Sequence, residues 1–215
     1  MAAKGSGQES DRQPVMDRLR ESEERVALLT NEIDHRAKNM LTVVAGLVHL
    51  TRADTVSAFK ESLLGRIAAL ANSQRLLSES RGQGADLARL IADELAAFHA
   101  PGQERATWSG PAVTLSPTAI QSMVMVLHEL AANATKYGAL SVDKGRVAID
   151  WSLREDGALR LLWSESGGPP VAEPPRRGTG MSIITASIRS QIGGEVTFTW
   201  RREGLLCELV VPIGR

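Results

Sequence analysis

The sequence predicts an α+β protein in which an N-terminal antiparallel helical hairpin precedes a domain of helices and an antiparallel sheet. Two observations support this fold class. Through the first third of the chain, apolar residues recur at intervals of three and four, as on one face of a helix. Beyond a glycine-rich break at residues 80–84, strictly alternating apolar residues mark four strands. A length of 215 residues suits one small and one medium domain.

The predicted hairpin consists of two amphipathic helices. The first has apolar residues at helical spacing from Leu19 to Leu47, and the second runs from about Val56 to Ser78 with the same pattern. Before them, residues 1–14 are polar and carry too little apolar surface to offset the entropy of ordering. We therefore expect a disordered tail over residues 1–14 and a hairpin over residues 15–82. Fewer than about twenty polar residues precede the first predicted helix, so we expect the signal to come from a partner in trans or from the rest of a longer sensor.

The predicted second domain, residues 83–215, begins with helices and continues as a sheet. Asp86 can cap a helix that runs to about Phe98, and Pro117 is a favoured first residue for a helix that reaches Tyr137. An antiparallel sheet with one covered face follows. Its four alternating segments span 147–153, 159–163, 196–200 and 205–211, and a long glycine- and proline-rich loop at 167–180 separates the second from the third.

Charge and cysteine content exclude several classes of protein. Lys plus Arg equals Asp plus Glu at 25 each, so the chain lacks the basic field that drives binding to nucleic acid or to membrane surfaces. The single cysteine, Cys207, cannot form an internal disulfide or a multi-cysteine zinc site, which suits a reducing compartment. No segment reaches transmembrane length, and the polar start lacks the apolar run of a secretory signal. We therefore expect a cytoplasmic protein.

A polar cluster centred on His35 lies on the outer face of the first predicted helix. At about 100° per residue, His35 falls about 200° from Ile33, which belongs to the apolar stripe. A neutral imidazole offers a ring nitrogen as a nucleophile, and the carboxylate of Asp34 or Glu32 could hold the other ring N–H. Judged by helix position alone, a surface histidine within a solvated charge run is the simpler interpretation.

A second polar face lies on the predicted helix from Pro117 to Tyr137. Glu129, Asn133 and Lys136 fall together, away from the apolar stripe. The amide oxygen of Asn133 suits Mg²⁺, Lys136 can neutralise phosphate charge, and Glu129 would orient a metal-bound water. The alternative for this segment alone is an exposed ladder of charges.

The loop before the last predicted helix has features of a phosphate-binding segment. Gly178, Thr179 and Gly180 lead directly into that helix, where backbone N–H groups and the helix dipole favour anions. Arg176 and Arg177 precede the glycines and could contact a triphosphate, although an arginine pair in a proline-rich loop is more often only solvated.

Three motifs, in this order, resemble those of the HWE family of bacterial histidine kinases. Residues 34–39, Asp-His-Arg-Ala-Lys-Asn, are similar to the phosphoacceptor box H-R-x-x-N, and residues 128–141 are similar to the N box that begins with histidine. Trp163-Ser-Glu165 is similar to the W-x-E motif. The resemblance extends from about residue 25 to the end. It implies that the second domain is a GHKL (Bergerat-type) α/β sandwich that binds ATP and Mg²⁺.

The same resemblance implies a role for each matching residue. ATP would phosphorylate His35, and the phosphoryl group would pass to the receiver domain of a response regulator. Glu165 would accept a hydrogen bond from the adenine amino group, although most ATPases of this superfamily have Asp followed by G-x-G at this place. The implied catalytic residues are His35, Asp34, Glu32, Asn39, Arg36 and Glu129. The implied nucleotide-binding residues are His128, Asn133, Lys136, Tyr137, Trp163, Glu165, Gly167, Gly168, Arg177, Gly178, Thr179 and Gly180, with Asn133 and Glu129 at the metal.

Two other functions are compatible with parts of the sequence. A histidine phosphotransfer or docking protein would keep the hairpin and the sandwich but lose the nucleotide site; the presence of Asn133, Gly178 and Gly180 argues against that loss. A serine kinase built on the same sandwich would not need the H-R-x-x-N face. Paired hairpins would form a four-helix homodimer, so we expect a dimer.

Overall fold

A computed structural model describes residues 6–80, 83–96, 98, 105–173 and 178–213, with side chains except those of residues 6–19, 29, 32–33 and 35–36. The helices are α1 (Ser6–Leu50), α2 (Val56–Glu79), α3 (Leu87–Ala96), α4 (Pro117–Lys136) and α5 (Thr179–Ala186), which continues as one π-helical turn over Ser187–Gln191. The strands are β1 (Ala85–Asp86), β2 (Ala106–Ser109), β3 (Thr114–Leu115), β4 (Arg146–Leu153), β5 (Ala158–Ser166), β6 (Glu195–Arg201) and β7 (Gly204–Pro212). A short 3₁₀ helix occupies Ala139–Ser141.

The chain divides into two compact units, Met1–His49 and Leu50–Arg215. The first unit contains the single helix α1, which begins at Ser6. Residues 6–14 are therefore helical, in contrast to the expected tail over 1–14, of which residues 1–5 lie outside the described part of the chain. Glutamine, glutamate and arginine are good helix formers, and adding a residue to an existing helix is far easier than starting one. None of the described helices combines the length and the apolar character needed to cross a bilayer.

Helix α2 belongs to the second unit, whereas the sequence places it with the first helix and sets the domain boundary near residue 83. Thr55 caps its start by accepting a hydrogen bond from the Ala58 N–H at 3.2 Å. The helix packs against α4 and buries Ala69, Leu70 and Leu76. The compact unit therefore begins at Leu50, because burying an apolar stripe on α4 joins α2 to the sandwich.

The main sheet has five strands in the order β2-β4-β5-β7-β6. The four strands expected from alternation are present and pair antiparallel in the order β4-β5-β7-β6, with Ile149 opposite Trp163 and Trp163 opposite Cys207. The sequence analysis missed β2, which pairs parallel with β4 and makes the sheet mixed. This edge strand spans only four residues, too short for a recognisable alternation.

Helix α4 is the centre of the helical layer. It begins at Pro117 as predicted, with the Ser116 hydroxyl accepting a hydrogen bond from the Ala119 N–H at 3.4 Å. Helices α2, α3 and α5 all pack against it, so its side chains are buried on several sides. Alternate side chains of β4 and β5, including Ile149, Leu161 and Trp163, are also buried. The second unit is thus a two-layer α/β sandwich.

Candidate functional site

A cavity of about 420 Å³ opens between α4, the start of α5 and the ends of strands β5, β6 and β7. Most of its lining is apolar: Leu130, Val171, Ala172, Met181, Ile184, Phe198, Trp200 and Leu205. Its polar and glycine positions are Asn133, Tyr137, Gly138, Glu165, Gly178 and Gly180. An apolar concavity of this size with a few convergent polar groups is typical of a small-molecule site.

Glu165 lies buried at the inner end of this cavity and is held by two donors. Its Oε2 accepts a hydrogen bond from the Ala139 backbone N–H at 2.8 Å, and its Oε1 accepts one from Trp163 Nε1 at 3.1 Å. Burial raises the pKa of Glu165, and these two hydrogen bonds oppose the rise. A side chain at Gly138 would overlap Glu165 Oε2, so the carboxylate can occupy this position only because residue 138 is glycine.

At the other end of the site, α5 begins close to α4. A Cβ atom on Gly180 would lie 2.6 Å from Glu129 Oε2 and 3.2 Å from Asn133 Nδ2. Glycine at 180 thus permits the close approach of α5 to the polar face of α4. Gly180 therefore lies beside Glu129 and Asn133, two of the three polar residues that the sequence places on one face of this helix. Thr179 is the first residue of α5, and Gly178 caps it.

The sequence analysis missed the partner of Glu129. Arg66 of α2 donates from Nε to Glu129 Oε1 at 2.6 Å and from Nη2 to Oε2 at 3.0 Å. The side chains are only 6% and 4% exposed, so this is a buried ion pair with fork geometry. The available signal was a charged residue at helical spacing from Leu63 and Leu70 on an apolar stripe, where an unpaired charge is costly.

Two residues of the N box face α2 instead of the cavity. The ring of His128 lies 5.5 Å from that of Phe98, and a Cβ atom on Gly65 would be 3.0 Å from its Nε2. Burial lowers the pKa of His128. The Lys136 ammonium donates to the Ser62 hydroxyl at 3.4 Å. Neither side chain lines the cavity, because each leaves α4 on the side that α2 covers.

The remaining predicted binding residues either support the site without lining the cavity or are not described by the structure. Trp163 is fully buried and reaches the cavity only through Glu165. Gly167 adopts a positive φ of 68°, and the Cα of Gly168 packs so closely on Ala139 that a side chain there would collide with it. These two glycines therefore shape the turn after β5. Arg176 and Arg177 lie outside the described residues.

The phosphoacceptor cluster lies within α1, so its predicted helical setting is confirmed. Asp34, Lys38 and Asn39 are exposed, but so are Ala37 and Met40 of the predicted apolar stripe, so exposure does not distinguish the two faces of this helix. The structure describes the backbone of Glu32, His35 and Arg36 but not their side chains.

The sandwich has the fold of histidine kinase catalytic domains. A blue-light activated histidine kinase of Erythrobacter litoralis superposes with a TM-score of 0.66 at 19% identity, covering 85% of this chain and 58% of that one. The separate histidine kinase domain of an Erythrobacter litoralis blue-light activated histidine kinase superposes with a TM-score of 0.59 at 16% identity, covering 79% of this chain and 93% of that one. Both likenesses show that the sandwich has the fold of a histidine kinase catalytic domain.

Sequence similarity then identifies the family. Residues 32–112 match the family described as HWE histidine kinase. A blue-light-activated histidine kinase of Rhizobium johnstonii is 35% identical over 195 residues, covering 90% of this chain and 55% of that protein. Blue-light-activated histidine kinase 1 of Erythrobacter litoralis is 36% identical over 203 residues, covering 91% of this chain and 55% of that protein. The match identifies residues 32–112 as a segment of the HWE histidine kinase family, and the chain spans about half the length of these relatives.

Proposed function

We propose that this chain is the ATP-dependent core of a histidine kinase that phosphorylates its own His35. The observation that supports this most strongly is the buried, doubly hydrogen-bonded carboxylate of Glu165 at the inner end of an apolar cavity. An ionised carboxylate there would accept the amino hydrogen of adenine and would meet an acceptor on guanine instead. Adenine would therefore be preferred, because a mismatched buried acceptor is left unpaired.

The rest of the nucleotide would extend toward the start of α5. Backbone N–H groups at Gly178, Thr179 and Gly180 would bind phosphate oxygens at the positive end of this helix. Among the residues that the structure describes, no three His, Cys, Asp or Glu side chains converge on a metal position. Asn133 would offer its amide oxygen to an Mg²⁺ ion that arrives with the triphosphate, because Mg²⁺ needs few protein ligands when water and phosphate oxygens supply the others. When bound, it would neutralise charge that develops on the transferred phosphoryl group.

In the proposed reaction a ring nitrogen of His35 attacks the γ-phosphorus of ATP. A P–N bond forms as the bond between this phosphorus and the bridging oxygen breaks, and ADP leaves with the electron pair. The carboxylate of Asp34 or Glu32 would hold the N–H of the other ring nitrogen and offset the positive charge on the ring. Arg36 and Asn39 would flank the transferred group. The phosphoramidate would then donate its phosphoryl group to an aspartate of a response-regulator receiver domain.

A histidine phosphotransfer or docking protein is the second candidate function, and one observation favours it. Two charged residues of the N box, Glu129 and Lys136, contact Arg66 and Ser62 of α2 rather than the cavity. In such a protein, His35 would receive its phosphoryl group from another protein. The open cavity with Asn133 and both glycines in its lining supports the kinase instead.

Radiolabelling with ATP distinguishes these functions. We expect incubation with [γ-³²P]ATP and Mg²⁺ to label the wild-type chain, and the label to be lost in acid and kept in alkali, because a phosphoramidate is acid-labile and a phosphoserine is not. His35→Ala and Asn133→Ala should abolish the label. His49→Ala, which removes another histidine of the same helix, is the matched control and should keep it. Label that survives His35→Ala would exclude His35 as the acceptor, and an unlabelled wild type that accepts phosphate from a second protein would support the relay.

The proposed reaction requires a response regulator, which receives the phosphoryl group. We also propose a second copy of this chain, because paired hairpins would form a four-helix dimer, and a sensor that acts in trans; nucleic acid and membrane are not among the proposed partners. We place the reaction in the cytoplasm, where ATP is supplied.

A further inference from the structure

The buried ion pair between α2 and α4 lies directly behind the glycine segment. Arg66 binds both oxygens of Glu129 and also donates from Nη1 to the Thr51 hydroxyl at 2.6 Å. Glu129 Oε2 in turn is so close to Gly180 that a Cβ atom there would lie 2.6 Å away. The guanidinium thus makes three hydrogen bonds to two partners, and it holds the Glu129 carboxylate against the segment proposed to bind the triphosphate.

The charge of Glu129 makes this contact consequential. A buried carboxylate without a partner, beside the proposed phosphate segment, would repel a nucleotide that carries several negative charges. Arg66 supplies the compensating charge and, through its planar fork, sets the orientation of the carboxylate. A lysine would supply the charge but not the two-point geometry.

We infer that Arg66 is a positioning residue for Mg²⁺-ATP: it compensates the charge of the Glu129 carboxylate and fixes its orientation behind the phosphate-binding segment. This inference rests on the proposed function. It assigns part of the nucleotide site to α2, the second helix of the predicted phosphoacceptor hairpin. Nucleotide affinity therefore depends on a side chain that does not itself touch the nucleotide.

The inference is tested by a double-mutant cycle in the full chain. The affinity for a non-hydrolysable ATP analogue, AMP-PNP, is measured by isothermal titration calorimetry with and without Mg²⁺. We expect Arg66→Met to weaken binding about tenfold, within the usual coupling between contacting charged residues, and more strongly without Mg²⁺. In a Glu129→Gln background the same change should cause no further loss, because the carboxylate that Arg66 controls is gone. Arg75→Met is the matched control: Arg75 lies on the same helix, half-exposed, with ion pairs to Glu79 and Asp93, and its loss should leave affinity unchanged.

A second variant and a second readout keep the test decisive. Removing one member of a buried ion pair is strongly destabilising, so circular dichroism must first show that Arg66→Met is folded. If it is not, Arg66→Lys takes its place. We expect this change to weaken AMP-PNP binding severalfold in the wild-type background and to cause no further loss of affinity in the Glu129→Gln background. Equal losses in both backgrounds, or wild-type affinity in a folded Arg66 variant, would overturn the inference while leaving the kinase intact. A wild-type chain that binds no analogue and takes no label would overturn the proposed function and this inference together.

Discussion

Replacing Trp163 with phenylalanine removes one of the two hydrogen-bond donors that favour the ionised form of Glu165. The indole N–H donates to Glu165 Oε1 at 3.1 Å, and both side chains are buried. This hydrogen bond lowers the pKa of Glu165, against the larger upward effect of burial. A hydrogen bond to a charged group contributes about 1.5–3 kcal/mol, so the ionised form should lose about that much relative to the protonated form.

The consequence for binding depends on pH. Adenine recognition needs the ionised carboxylate, so affinity falls as the pH falls through the raised pKa of Glu165. The loss of about 1.5–3 kcal/mol corresponds to a roughly 10- to 140-fold smaller ionised fraction wherever the carboxyl group is mostly protonated. Trp163→Phe should therefore bind nearly as tightly as wild type at high pH and about tenfold or more weakly at low pH.

The assay is calorimetric titration with AMP-PNP across the pH range in which the chain stays folded. Glu165→Gln should remove the difference between the Trp163→Phe and wild-type pH profiles, because residue 165 then has no carboxyl group to titrate. Trp151→Phe is the matched control, since its indole N–H donates to the Pro111 carbonyl at 2.8 Å and not to Glu165. A Trp163→Phe profile that parallels wild type at every pH would refute the role of the indole donor.

Two further predictions concern Glu94 and Gly180. Burial raises the pKa of Glu94 to about 7 although Asn72 donates to its Oε1 at 2.6 Å, so the folded chain holds this proton more tightly than the unfolded chain. The stability that this bound proton contributes is fully present below pH 4.5, because 4.5 is the ordinary pKa of a glutamate side chain. It is lost as the pH rises through about 7. Glu94→Gln should thus raise the free energy of unfolding by up to about 3 kcal/mol at pH 8 and hardly at all at pH 4, as measured by urea unfolding. An equal gain at both values would contradict the assignment. Gly180→Ala forces a Cβ to 2.6 Å from Glu129 Oε2 and should weaken AMP-PNP binding about tenfold and destabilise the chain by roughly 1–3 kcal/mol. A Cβ at residue 178 meets no atom of the described residues within 4 Å and leaves the backbone N–H in place, so Gly178→Ala should do neither. Equal effects of the two substitutions would show that the close approach does not matter.

Local patterns in the sequence predict most of the elements of this fold. Helix α4 starts at Pro117 and ends at Lys136, close to the predicted limits, because capping residues and 3.6-residue periodicity are properties of the segment itself. The strands β4 to β7 follow from alternation for the same reason. The family also follows from the sequence, since its three motifs are short, ordered and local.

The partners of those elements follow only from the tertiary structure. The parallel pairing of β2 with β4 joins a four-residue segment to a strand about forty positions later, and no local pattern encodes that pairing. Helical spacing groups Glu129, Asn133 and Lys136 on one face but does not say which of them a neighbouring helix will cover. The packing of α2 on α4 decides which residues are covered. Arg66 of α2 pairs with Glu129 and Ser62 of α2 accepts from Lys136, whereas Asn133 lines the cavity. One helix face can thus lie partly against another helix and partly along a cavity. Which side chains are covered depends on a segment that is distant in the sequence.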